Sequence, residues 1–270
     1  MNNITFGQYY PVESPVHRLD PRIKILAVVL YIVVIFFIKS FSGYAVTAAF
    51  VAFVILLSKV PVKSVLRSVK GILILIAFTA FINIVFYKEG RILINWWIIK
   101  ITLDGVLFAA KMALRLLLLV MGTSLLTLTT TPVSLTDGIE SLLTPLKWIK
   151  FPVHDVAIIM SITLRMIPAL MEETNKIIMA QKARGADFET GGLIKRAKAL
   201  IPILIPLFVG AFRRADELAY ALDARCYNAT PKRTRMKVMK ITPADILGII
   251  MVLGYSAVII IDVYILHGLF

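Results

Sequence analysis

The chain has 270 residues, of which 59% are hydrophobic, and it carries a net charge of +14. Soluble domains are about 45–50% apolar, so this composition excludes an ordinary water-soluble fold and indicates a chain solvated partly by lipid. The single cysteine, Cys226, excludes an internal disulfide. The first twenty residues are polar and contain no apolar core before a cleavage site, so we expect no signal peptide.

Five apolar stretches predict membrane-spanning helices, because each has a length near the roughly 20 residues that a bilayer requires. They cover residues 21–38, 40–58, 71–87, about 103–131, and 242 to about 266. The first and last begin with a capping residue followed by proline, which is a typical helix start.

Two basic residues, Lys111 and Arg115, fall within the fourth stretch and share one helix face. Either the first turns of this helix lie in the external interface, or a buried polar face contacts a neighbouring helix or a partner.

Three further helices are predicted between the fourth and fifth spans: Ser134–Ile149, Pro152–Ala183 and Gly192–Ala224. The two long helices have apolar, proline-containing first halves that we interpret as too short to cross a bilayer, and charged second halves. Such helices bridge an apolar and an aqueous environment. The predicted fold is therefore an all-α integral membrane protein. Its parts are a four-helix membrane part (1–131), a cytoplasmic coupling-helix domain (132–241) and a C-terminal transmembrane helix (242–270).

The positive charges are distributed unevenly across the predicted membrane. With the N-terminus inside, 24 of the 30 basic residues fall in cytoplasmic segments and four in external ones. Cytoplasmic segments collect Lys and Arg, so topology explains the basic charge and no nucleic-acid partner is expected.

The two long helices end in a similar way, with Arg184 and Arg225 placed 41 residues apart, each after an alanine. An arginine at a helix C-terminus complements the helix dipole, or, at two matched ends, it forms two equivalent docking points for similar partners. Ala211, Ala215 and Ala219 recur every four residues in the third helix, which favours a close crossing of the pair or ordinary helix packing.

An enzyme is not indicated, because the chain has no Gly-rich phosphate loop, no metal-spaced Cys or His cluster and no recognisable nucleophile. One alternative for the whole chain is a self-contained secondary transporter or channel with a basic cytoplasmic domain. That alternative predicts charges at mid-membrane depth and two repeated halves of the chain. The spans other than the fourth carry no charge at mid-membrane depth, and the sequence contains no internal repeat.

Several motifs together resemble the transmembrane (T) component of energy-coupling factor (ECF) transporters, a branch of the ABC transporters. They span nearly the whole chain: Ser14–Lys24, Leu125–Pro132, Leu164–Pro168, Ala180–Gly185 and Ala224–Arg225. The resemblance implies a prokaryotic plasma-membrane protein whose two long helices cross as an X. It also implies that the chain binds no cofactor, since ATP and Mg would sit on partner ATPases.

The resemblance further implies two sets of partner contacts. Each helix tip would dock on one of two ABC-type ATPase subunits, through Ala183, Arg184, Gly185, Ala224, Arg225 and Cys226. Cys226 stands where the family often has glycine, which puts the backbone geometry of the second tip in question. The apolar halves would cradle a small substrate-binding (S) subunit for vitamin or micronutrient uptake. The candidate contacts there are Met160, Leu164, Pro168, Pro202, Leu204, Pro206 and Phe208.

Overall fold

The computed structural model describes residues 9–87, 92–96, 99–149, 151–188, 192–227 and 242–267 of the chain. The described secondary structure is almost entirely helical. In chain order it consists of α1 (Pro15–Arg18), α2 (Pro21–Phe37), α3 (Phe41–Ser58), α4 (Val62–Lys70), α5 (Leu73–Phe86), β1 (Ile92–Trp96), β2 (Ile99–Thr102), α6 (Leu103–Thr129), α7 (Pro132–Leu143), a 3₁₀ turn (Thr144–Ile149), α8 (Val153–Ala183), α9 (Leu193–Ala224) and α10 (Pro243–His267). The two strands form one antiparallel hairpin. The predicted all-α membrane fold is confirmed.

The helix starts follow from local capping chemistry. Asp20 accepts a hydrogen bond from the Arg22 amide at 2.9 Å, directly before the proline that begins α2. The side chains of Ser40, Thr102 and Thr131 cap α3, α6 and α7 in the same way. Because four N–H groups at each helix start lack an intrahelical partner, these side chains fix where the helices begin.

Four of the described helices are long and apolar enough to cross a membrane: α3, α6, α8 and α10. The pair α4 and α5 is bent by 56° at its break, and it adds a fifth span if the two helices are counted together as one. Helix α2, which was predicted to span the membrane, has 17 residues and is not among these four. Helix α8 qualifies by length and composition, which corrects the expectation that its apolar part is too short.

The described residues divide into two compact units. The bundle unit contains the described residues up to His154 together with α10, and the long-helix unit contains those from Asp155 to Tyr227. Helix α7 belongs to the bundle unit because it packs on α2. The division between the two compact units therefore falls after α7, and the domain limits expected from the sequence stay a prediction.

The core of the bundle unit is built by α2, α3, α6 and α10. The Tyr31 side chain, 5% exposed, donates a hydrogen bond to the Leu118 carbonyl at 2.7 Å. Its ring lies against Gly122, where an added methyl group would collide with it. Glycine at this position therefore allows α2 and α6 to approach closely around a large aromatic ring.

The two basic residues of α6 contact neighbouring helices. The Arg115 guanidinium donates to the Ile38 carbonyl at the end of α2 (2.8 Å) and to the Tyr44 hydroxyl of α3 (3.1 Å). The Lys111 ammonium lies 5.2 Å from the centre of the Phe41 ring. Of the two interpretations drawn from the sequence, these contacts support the polar face that binds neighbouring helices, because Arg115 satisfies a carbonyl left free at a helix end.

Candidate partner-binding site on the two long helices

Helix α8 ends in a two-bond C-cap. The Gly185 amide donates to the Lys182 carbonyl and the Ala186 amide donates to the Gln181 carbonyl, both at 3.0 Å. This pair of bonds is a Schellman motif, which requires a left-handed residue directly after the helix. Gly185 provides it with φ of +84°, so the glycine is explained by the geometry of the turn.

Helix α9 ends in the same motif, 41 residues later. The Cys226 amide donates to the Asp223 carbonyl at 2.9 Å, and the Tyr227 amide donates to the Leu222 carbonyl at 3.0 Å. Cys226 takes the place of glycine and adopts a left-handed φ of +52°. A residue with a Cβ pays roughly 1–2 kcal/mol for this conformation. The turn therefore forms with Cys226 in the left-handed position, at an energetic cost.

The two arginines occupy the same position in these motifs. Arg184 and Arg225 each directly precede the left-handed residue, and both side chains are exposed. Within the described part of the chain, neither guanidinium forms an ion pair or a side-chain hydrogen bond. Each arginine is thus presented at a helix end with its planar set of donors available for an acidic partner.

The long helices contact each other near one ion pair. The Arg214 guanidinium of α9 lies 2.6 Å from a carboxylate oxygen of Glu173 on α8, and both side chains are partly buried. Gly210, one turn before Arg214, is buried, and a Cβ there would lie 2.8 Å from the Glu173 carboxylate. The absence of a side chain at Gly210 therefore makes room for the acid.

The observed contact lies one residue away from the predicted alanine stripe. Ala211, Ala215 and Ala219 are exposed on α9, whereas Gly210 and Arg214 face α8. The row of Gly210 and Arg214 lies beside the alanine row on the surface of α9, and Glu173 of α8 contacts the row of Gly210. In the described residues Gly210 makes room for this contact, and the predicted helix-crossing role of the three alanines stays a prediction.

The residues expected to contact a substrate-binding subunit lie on an apolar surface. Leu164 is half-buried and the other six, Met160, Pro168, Pro202, Leu204, Pro206 and Phe208, are exposed. Sequence reasoning omitted further large apolar side chains of α9 that are exposed nearby in the chain: Ile201, Ile205, Val209 and Phe212. These four residues could have been predicted as well, because they belong to the same apolar run of the sequence. Large apolar side chains exposed in such numbers require lipid or a partner protein to cover them.

A buried ammonium joins two of the sequence motifs in the bundle unit. The Lys24 side chain, 7% exposed, donates to the carbonyls of His17 (3.1 Å) and Thr129 (3.0 Å) and to the Thr130 hydroxyl (3.3 Å). The segment Ser14–Lys24 is thereby tied to the end of α6. All three ammonium donors are used, as a buried charge requires.

The start of α10 is attached to the same region. Asp245, 1% exposed, accepts a hydrogen bond from the Asp20 amide at 2.7 Å, and its second oxygen accepts from the Thr242 amide and hydroxyl. The link to Asp20 spans 225 residues, and no local pattern indicates it.

The described residues contain no group of three or more His, Cys, Asp and Glu side chains that could hold a metal ion. His17 is engaged in the N-terminal segment, where its Nε2 donates to the Tyr10 carbonyl at 3.0 Å and its Nδ1 accepts from the Ser14 hydroxyl at 2.7 Å. Burial lowers the pKa of His17 below its usual value of 6.5. The imidazole is therefore neutral near pH 7 and acts as a structural link.

These features define a class of protein: a multi-pass α-helical membrane protein in which two long helices end in equivalent, exposed, positively charged tips. Comparison with known proteins agrees with this class. The profile of the CbiQ family, described as cobalt transport protein, matches residues 12–237.

Relatives named energy-coupling factor transporter transmembrane protein EcfT are similar over nearly the whole chain. The relative from Ruminiclostridium cellulolyticum is 50% identical over 247 residues, which cover 92% of both chains. The relative from Brevibacillus brevis is 48% identical over 261 residues, covering 97% of this chain and 98% of its own. The relative from Bacillus subtilis is 41% identical over 259 residues, covering 96% and 98%. The chain belongs to the family of transmembrane components of ECF transporters.

Proposed function

We propose that this chain is the coupling subunit of an ECF-type importer. It transmits ATP-driven movement of two cytoplasmic ATPase subunits to a small membrane-embedded substrate-binding subunit that takes up a vitamin or another micronutrient. The chain itself is not catalytic, and ATP with Mg is bound and hydrolysed by the partner chains. In this arrangement the N-terminus and the long-helix tips are on the cytoplasmic side of a prokaryotic plasma membrane.

The observation that carries the proposal is the equivalence of the two helix tips. Arg184 and Arg225 have the same place in the same hydrogen-bonded turn, although the sequence around them differs. Two copies of one local structure suit two similar partners, and an exposed guanidinium suits an acidic groove. Losing one partner of a buried charge pair costs roughly 2–5 kcal/mol, so each tip would be a strong contact.

The exposed apolar halves of α8 and α9 support the second part of the proposal. Phe208 is 62% exposed and Leu204 is 47% exposed, within helices that end in charged segments. An apolar surface and a charged tip on one rigid helix connect a partner at membrane depth with a partner in water. The positive-inside distribution supports the orientation.

The test uses the assembled complex reconstituted in vesicles, with uptake and subunit composition as readouts. We expect Arg184→Glu or Arg225→Glu to abolish transport, and the double variant to release the ATPases as well. Lys176→Glu, which reverses an exposed charge on α8 two turns before the tip, is the matched control and should leave both readouts unchanged. Transport at the wild-type rate by the double variant would refute the proposed role of the tips.

A further inference from the structure

Helix α4 has three distinct surfaces. Val65 and Val69 are 0% and 6% exposed and form the side that packs on the bundle, where α4 lies against α6. Val62 and Leu66, on the neighbouring strip, are 51% and 53% exposed. The helix therefore buries one apolar row and leaves a second apolar row without cover in the described part of the chain.

A basic row borders the uncovered apolar strip. Lys63, Arg67 and Lys70 are exposed, and their spacing of four and three residues places them on one helix face. The segment from Lys59 to Lys70 contains four basic and no acidic residues. Within the described residues, the three side chains of the row form no ion pair. Their charge is therefore uncompensated by the chain itself.

The direction of α4 separates it from the neighbouring apolar helix. The chain bends by 56° between α4 and α5, at Gly71 and Ile72. Helix α5 is largely apolar. Because of the bend, α4 does not continue along the axis of α5. An uncovered apolar strip beside a row of cations is the arrangement of a helix that lies in a membrane interface. There the apolar side chains enter the acyl region and the long basic side chains reach the headgroups.

We infer that α4 is an interfacial helix whose basic row, Lys63, Arg67 and Lys70, binds the phosphate groups of anionic phospholipids. One observation favours lipid over an acidic partner protein. The strip of Val62 and Leu66 adjoins the row and needs an apolar environment, and a lipid supplies an apolar chain and an anionic phosphate in one molecule. The inference does not depend on the ATPase contacts proposed for Arg184 and Arg225.

The test places a local reporter beside the row. The substitution Cys226→Ser removes the only cysteine, and Val62→Cys then carries a fluorophore at an exposed site next to Lys63. The full chain is reconstituted in bilayers that contain brominated phosphatidylglycerol or brominated phosphatidylcholine. The preference for the anionic lipid is the ratio of the fluorescence quenching by the first lipid to that by the second. Each basic side chain should contribute about a fivefold preference for the anionic lipid at low ionic strength. Added salt should weaken that preference.

Three variants decide the outcome. The triple variant Lys63→Gln, Arg67→Gln and Lys70→Gln should bring the preference close to one. The conservative variant Lys63→Arg, Arg67→Lys and Lys70→Arg should retain it. A control that removes the same charge elsewhere, Lys176→Gln, Lys198→Gln and Arg213→Gln, should also retain it. An unchanged preference in the triple Gln variant, or an equal loss in the control, overturns the inference. The inference is also overturned if the chain without these substitutions shows no preference for the anionic lipid. That result is expected if the row binds a soluble protein instead.

Discussion

Lys24 allows a sharp test of the bundle, because one buried ammonium serves three oxygen acceptors. The change Lys24→Met keeps most of the side-chain volume and removes only the charged group. It leaves the His17 and Thr129 carbonyls and the Thr130 hydroxyl without their donor, at a position that is 7% exposed. It also removes a positive charge that interacts electrostatically with the carboxylate of Asp245.

The expected loss follows from these contacts. Each buried acceptor that is left without its donor costs about 1–3 kcal/mol. The three contributions are not fully additive, because Thr130 can turn its hydroxyl toward another partner. We therefore expect Lys24→Met to lower the free energy of unfolding by about 3–5 kcal/mol.

The assay is equilibrium unfolding of the purified chain in mixed micelles, followed by circular dichroism over a range of denaturing detergent. Lys176→Met is the matched control, since it removes an exposed ammonium from α8 and should change the free energy by less than about 0.5 kcal/mol. If Lys24→Met and Lys176→Met unfold within about 1 kcal/mol of each other, the buried ammonium does not stabilise the bundle as argued.

Three further changes probe the tips, the helix contact and the N-terminal segment. Cys226→Gly should stabilise the α9 tip by about 1 kcal/mol, seen as slower hydrogen exchange there, because glycine adopts a left-handed φ without strain. Gly210→Leu should destabilise the contact with Glu173 by about 1–3 kcal/mol, measured as faster exchange near the contact, whereas Ala215→Leu at an exposed site should not. Since burial lowers the pKa of His17 below 6.5, its contribution to stability should be complete above that pH and lost as the pH falls through the lower folded value. Thermal unfolding of His17→Gln should lack this dependence.

Helix ends were predictable because their signals are local. Residues Asp20 and Pro21 predicted the start of α2, and Thr242 and Pro243 that of α10, where the structure has both helices begin. A capping side chain and a proline act on amides within three residues, so no tertiary information is needed. For the same reason, the sequence correctly predicted the end of α9 before Arg225.

Helix α4 and the hairpin were not predicted, because both are short and lie between the stretches that were predicted as membrane spans. Helix α4 has nine residues, only two and a half turns, and its Lys and Ser content is typical of a link between spans. The alanine stripe shows a different limit. Spacing predicted a row of alanines on α9, whereas the observed contact of Gly210 involves Glu173, which is 37 residues earlier. The contact of Lys24 with Thr129 is equally non-local.

The position of the ion pair relative to the tips gives the long-helix unit an internal symmetry. Glu173 precedes Arg184 by eleven residues, and Arg214 precedes Arg225 by the same number. At 1.5 Å per residue, each arm from the contact to its tip is about 16 Å long. Under the proposed function, two identical movements at the tips would then act on the contact with equal leverage. An interlocked seam of large apolar side chains would oppose a change in the angle between the helices. A contact made by Gly210 and the ion pair of Glu173 with Arg214 allows such a change in angle. A partly exposed ion pair can be re-formed after a small rotation at little cost.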